Sequence, residues 1–201
     1  MEAQAIYTTS SDGALRQGEV ISGLIQVHLK LSLGGDMPAT SVIQHKSHPF
    51  AIVVSQDCEL DWDFKARNRI TIDGKEVGRE KTIPNVLFCE VWTADALRGS
   101  NNINSTMWSK IKTNRDERYH FLEKIDPTTD RQALGLPELG IDFKRYFTIP
   151  TDEAYARVNT EAKRRCRLVS PYLEHFSGRF FYFQSRVALP REHESEPGSP
   201  Q

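Results

Sequence analysis

Two runs along the chain, residues 50–54 and 86–92, are apolar almost without a break. Continuous β-branched and aromatic runs of that length predict strands covered on both faces. Elsewhere the pattern alternates. Ile25, Val27, Leu29 and Leu31 fall on one side of an extended segment, with Gln26, His28 and Lys30 on the other. That period of two predicts a half-buried antiparallel strand, and Gly34-Gly35-Asp36-Met37-Pro38 breaks it into a loop. Further extended segments are predicted at 70–77 (a hairpin turning on Asp73-Gly74), 115–122, 142–149 and 165–169.

Helical periods appear at 93–98, stopped by Gly99-Ser100-Asn101-Asn102, and at 105–114, where Trp108 and Ile111 share a side. A third helix starts at Pro150-Thr151-Asp152-Glu153, with Thr151 read as its N-cap and acids in its first turn. Ser170-Pro171 opens a last one, in which Leu173, Phe176, Phe180, Phe183 and Val187 recur at helical spacing until Pro190. The charged stretch 57–68 predicts a helical turn. Residues 126–140 predict a loop, residues 1–14 a loose start and residues 191–201 a disordered tail. Short strands, a helical insert at about 93–140, more strands and a closing amphipathic helix make an α+β domain over residues 1–190. The expected architecture is a small barrel, closed or half-closed, capped by the C-terminal helix.

Composition narrows the function classes. The 201 residues carry 26 basic and 27 acidic side chains, so no global field draws the chain to nucleic acid or anionic lipid. No apolar run approaches the ~20 residues that span a bilayer, and no signal peptide is expected at the N-terminus. Cys58, Cys89 and Cys166 show no close spacing, which predicts free thiols in a reducing cytoplasm.

Two segments bear on family. Arg16-Gln17-Gly18-Glu19-Val20-Ile21 resembles the Arg-x-Gly-Asp-Ile start of the first barrel strand in the MazF/PemK-like family. His48-Pro49-Phe50-Ala51-Ile52-Val53-Val54-Ser55 resembles that family's Arg-Pro-apolar strand. The resemblance implies an SH3-like barrel, found in toxins that cleave RNA. His48 stands where the family has its arginine, and Thr93 has surroundings unlike those of the family's threonine. Ser55-Gln56-Asp57-Cys58-Glu59-Leu60 after the strand further resembles a turn of uncharacterised prokaryotic proteins, which implies a bacterial accessory or defence setting.

Candidate chemistry gathers at four places. Cys58 follows the apolar strand and could act as a nucleophile activated by His45 or His48. Asp57, Glu59, Asp61 and Asp63 around it discourage the thiolate, and they lack the glycine and terminal glutamate of a calcium loop. His120 and Arg118 lie in a dense polar run, either as an acid/base pair or as part of an ion-pair network fixing the insert. Lys163, Arg164, Arg165 and Arg167, with Lys144 and Arg145, form a basic concentration near Tyr146, Phe147, Tyr172 and Tyr182. That reads either as an RNA surface or as arginines paired to carboxylates. Cys89 and Cys166 lie in apolar strands and read as core. No metal or cofactor is expected. The leading functional reading is a non-enzymatic module of a prokaryotic regulatory, toxin–antitoxin or antiviral-defence system. It would offer Ser55, Gln56, Asp57, Glu59 and the insert to a protein partner. The alternatives are an RNA-binding or RNA-cleaving protein and a cysteine hydrolase using Cys58 with His48 or His120.

Overall fold

The computed structural model describes residues 5–32 and 40–186. The expected loop at 34–38, Val187 and Pro190 at the last helix's end, and the tail at 191–201 lie outside them.

The N-terminal stretch is not loose throughout, because Tyr7–Thr9 forms β1. Two long strands follow, β2 (Glu19–Ser32) and β3 (Thr40–Val53). The charged stretch after them is a full helix, α1 (Asp57–Arg67), with acids in its first turn and Lys65 and Arg67 in its last. Asp73 and Gly74, at φ 49° and 76°, turn the small hairpin β4 (Thr71–Ile72) and β5 (Lys75–Glu76). Next come β6 (Asn85–Thr93), α2 (Ala94–Ser100), α3 (Ser105–Lys112), β7 (Tyr119–Leu122) and β8 (Leu139–Pro150). The described chain closes with α4 (Thr151–Thr160), β9 (Lys163–Leu168) and α5 (Tyr172–Ser185). Thr151 does not cap α4. Its hydroxyl donates to Ile83 O at 2.8 Å, and Pro150 takes the cap position.

Seven strands form one sheet in the order β1-β9-β2-β3-β6-β8-β7, with every pairing antiparallel. β3, carrying the first apolar run, is its central strand, and Ala51, Ile52 and Val53 have no exposed surface. The sheet curls until its two edges meet. The Tyr7 hydroxyl of β1 donates to Glu123 O, just past β7, at 3.0 Å. No main-chain ladder joins β1 to β7 among the described residues, so the closed form of the expected barrel is not found. β1 has only three residues to offer, and a side chain rather than the backbone spans the seam.

One face of the curl buries Val20, Ile52, Cys89, Val91, Ile141, Phe143, Cys166 and Leu168 against Phe176 and Phe180 of α5. Each fully buried side chain of this kind contributes ~1.5–3 kcal/mol. The other face buries Ile21, Ala51, Val53, Phe88 and Ile149 under Leu60 of α1 and Ala154 of α4. The stretch 93–140 is not a separate appendage, since β7 within it is an edge strand of the main sheet. α2 and α3 cover β7 through Leu97, Trp108, Ile111 and Phe121.

One expectation fails physically. The alternating face of β2 is not half-buried along its length. β2 leaves β9 after Ser22 and β3 meets β6 only from Phe50, so beyond Leu24 and His48 the two strands run on as a two-stranded arm. Val27, Leu29, Leu31, Val42 and Ile43 on that arm are all exposed. No helix among the described residues is long and apolar enough to cross a membrane.

Candidate functional site

β3 outruns its neighbour. The β3–β6 ladder begins at Phe50↔Val91, and β6 gives way to α2 at Ala94. Thr93 Oγ1 fixes that exchange by accepting from the Ala96 amide at 3.3 Å. Where the strands part, a cavity of about 490 Å³ opens. Pro49, Phe50, Val91, Trp92 and Ala96 make its apolar wall, and Lys46, Glu90 and Arg145 its polar one.

Glu90 anchors the polar side. It is buried in the middle of β6, where it ion-pairs with Lys46 and approaches His48 Nδ1 at 3.4 Å and Arg145 Nη1 at 3.5 Å. Burial disfavours its charge, but hydrogen bonds from His48 and Lys46 prevail and hold its pKa at about 2. A bulge delivers Arg145. Between Cys89↔Tyr146 and Val91↔Ile141, two steps along β6 match five along β8, and the surplus residues carry Arg145 back over Glu90. Arg145 also lies 3.4 Å from Asp142 and 5.4 Å from the Trp92 ring centroid. Asp142 is itself held by Arg118 at 2.8 and 2.6 Å. Three cations therefore share two carboxylates, and Lys46 and Arg145 keep nearly half their surface in solvent. The mouth of the cleft carries surplus positive charge beside an apolar wall, which suits a ligand with an apolar body and a carboxylate.

His48 is part of the cleft's wall. Its ring stacks on Phe147 at 3.9 Å, Nδ1 faces Glu90, and Nε2 meets Gln26 Oε1 at 3.3 Å, so neither nitrogen faces open space. Cys58 is exposed on the first turn of α1, with Sγ 3.9 Å from Gln56 Oε1. It lines a depression with Arg16, Gln17, Asp57, Asp61 and Ser177, whereas His48 and His120 each line a different cavity. Asp57 there is taken up by Arg16 and by the Gln17 amide at 3.2 Å. Ser55 Oγ accepts from the Leu87 amide at 2.8 Å, while Gln56 and Glu59 are exposed.

His120 is buried on β7 against Phe143, Phe176 and His175, and its Nδ1 has no hydrogen-bond partner. Burial, with Arg179 and His175 adding repulsion, holds its pKa well below the ordinary histidine range. Arg118 points instead to Asp142, which ties β7 to β8. The basic run is split rather than presented as a strip. Arg164 pairs with Glu19 at 2.6 Å and Arg165 with Asp130 at 2.6 Å, both inside the protein. Arg165 holds Asp130 at a pKa of about 2. Lys163 is exposed and Arg167 half-buried beside them.

Glu90, Trp92, Lys46 and Arg145 as one group escaped sequence reading, although Arg145 was grouped with the basic run. The available signal was Glu90 itself, a carboxylate inside the apolar run 86–92. Its partners come from three strands at sequence distances that no local pattern links. Among the described residues no cluster of three or more His, Cys, Asp or Glu could hold a metal ion. Compared with known proteins, the chain significantly matches no family model, no curated protein and no solved structure.

Proposed function

We propose that this chain is a non-enzymatic interaction module whose β3–β6 cleft takes an extended apolar segment, bearing a carboxylate, from a protein partner. The observation that carries the reading is the parting of the two strands beside an apolar wall and two half-exposed cations. Upstream of Phe50, β3 has no strand on its β6 side among the described residues, so its main-chain groups, Pro49 N apart, offer a template for strand addition. Alternate side chains of the added strand then meet Phe50 and Trp92, and its carboxylate meets Lys46 and Arg145. Relation to the SH3-like barrels of the MazF/PemK-like family belongs to the same proposal, as does a cytoplasmic place in a prokaryotic regulatory, toxin–antitoxin or antiviral system. The first rests on the segments at Arg16–Ile21 and His48–Ser55, the second on the Ser55–Leu60 turn and the three unpaired cysteines. Neither RNA nor Cys58 chemistry forms part of it, since Arg164 and Arg165 are engaged by carboxylates and Cys58 stands apart from both histidines.

A displayed peptide library selected on the wild type and on Ala96→Trp tests the reading. Ala96 is exposed on the cleft wall, so a tryptophan there fills the space without entering the core. Peptides with alternating apolar residues and an acid should enrich on the wild type. They should bind Ala96→Trp at least ~10-fold more weakly, a loss of about 1.4 kcal/mol. Lys46→Glu with Arg145→Glu should reverse their charge preference. Equal enrichment on wild type and Ala96→Trp removes the cleft as a binding site.

A further inference from the structure

The arm carries two unlike faces. In the β2–β3 register Val27 lies opposite His45, Leu29 opposite Ile43 and Leu31 opposite Ser41, so these side chains share one face. Lys30 opposite Val42, His28 opposite Gln44 and Gln26 opposite Lys46 make the other. On the first face Leu29, Leu31 and Ile43 are 66%, 64% and 62% exposed. That face, completed by Ile25 and Ser47, holds no Asp, Glu, Lys or Arg. Both lysines of the arm lie on the second face.

We infer that the uncharged face is where a second copy of this chain docks, arm against arm about a two-fold axis. The charge distribution selects this occupant. An acidic partner would be drawn to the lysine face. A copy stacked through the lysine face would set Lys30 against its equivalent, with no acid in residues 24–32 or 40–48 to offset it, while Lys46 on that face is already paired with Glu90. Only the first face is complementary to itself: a two-fold contact joins each patch to its own duplicate, and the centres of such contacts are depleted of charge. Leu29 and Ile43, paired at mid-face, form the centre, and Ser41, His45 and Ser47 its polar margin. Stacking also gives the apolar face of the ribbon a defined partner. This contact is separate from the cleft.

Sedimentation of the full chain over ~1–200 µM tests the inference, because a dimer shifts with concentration. The wild type should pass from monomer to dimer. Leu29→Glu and Ile43→Ser should each weaken association at least ~10-fold. Val42→Glu, at a site 56% exposed but on the opposite face, should leave the dimer intact. Ala96→Trp should leave it intact as well, which separates this contact from the cleft. Far-UV circular dichroism verifies that each variant folds. A wild type that stays monomeric throughout, or a Val42→Glu effect equal to that of Leu29→Glu, overturns the inference. Growth into open-ended aggregates overturns the two-fold geometry. A monomer that floats with phosphatidylglycerol vesicles assigns the face to lipid and overturns it too.

Discussion

The inner and outer halves of β2 and β3 are made of the same material. Both alternate or run apolar, both pair antiparallel in one register, and the strands pass from one half to the other without a break. Yet Val20, Ile21, Leu24, Ala51, Ile52 and Val53 in the inner half have no exposed surface, while Leu29, Leu31 and Ile43 in the outer half stand largely in solvent. The difference lies in the neighbours. The inner half is flanked by β9 and β6 and covered by α1 and α5, and the outer half has outrun all four. An apolar period records that a face is to be covered; it does not record by what.

The largest effect expected from this contrast lies at the start of β2. Glu19→Ala leaves Arg164 buried and without its carboxylate, and should cost ~3–5 kcal/mol in urea unfolding. Ile52→Ala, in the most enclosed part of β3, should cost ~2–5 kcal/mol by opening a cavity. If either change proves mild, the inner half is less firmly held than its burial implies.

Acid should act on the core side of the comparison. Glu90 titrates at about 2 in the fold, below the ordinary carboxyl range near ~4.3, so its stabilisation is present above that range and lost as pH falls towards 2. In Glu90→Gln the unfolding midpoint should lose that part of its acid dependence. His120 contributes in an earlier window. Its depressed pKa keeps it neutral when folded, so stability declines as pH drops below ~6.5, where the unfolded chain takes up the proton first. His120→Phe should flatten the slope below pH ~6.5 at little cost, because Nδ1 makes no hydrogen bond to lose. The smallest effect belongs to the arm. Leu29→Ala should change monomer stability by no more than ~0.5 kcal/mol, measured by urea at a concentration where the protein is monomeric. A cost comparable to that of Ile52→Ala would mean that the arm is covered within the chain.

Much of the local structure was legible. The apolar run at 50–54, the Asp73-Gly74 turn, the helical stretch after β6 and the Phe176 and Phe180 stripe of α5 each follow from contacts within a few residues. The site was not legible. Glu90 signals a buried charge, but Lys46, His48 and Arg145 reach it only through the β3–β6 pairing and the β8 bulge, and both are fixed by packing across the sheet. The basic run at 163–167 misleads for the complementary reason. Adjacent strand residues point to opposite faces, so Arg164 and Arg165 go to carboxylates on different sides, and nothing in their spacing names Glu19 or Asp130.

By itself, then, the amino-acid order determined which segments are extended, which are helical and which side chains seek cover, because those preferences act over one strand or one turn. Tertiary structure alone decided that the sheet curls without closing, that β3 parts from β6 beside Glu90, and that the arm leaves its apolar face uncovered. Such outcomes depend on how far each strand finds a neighbour, a competition among distant segments that no local pattern records.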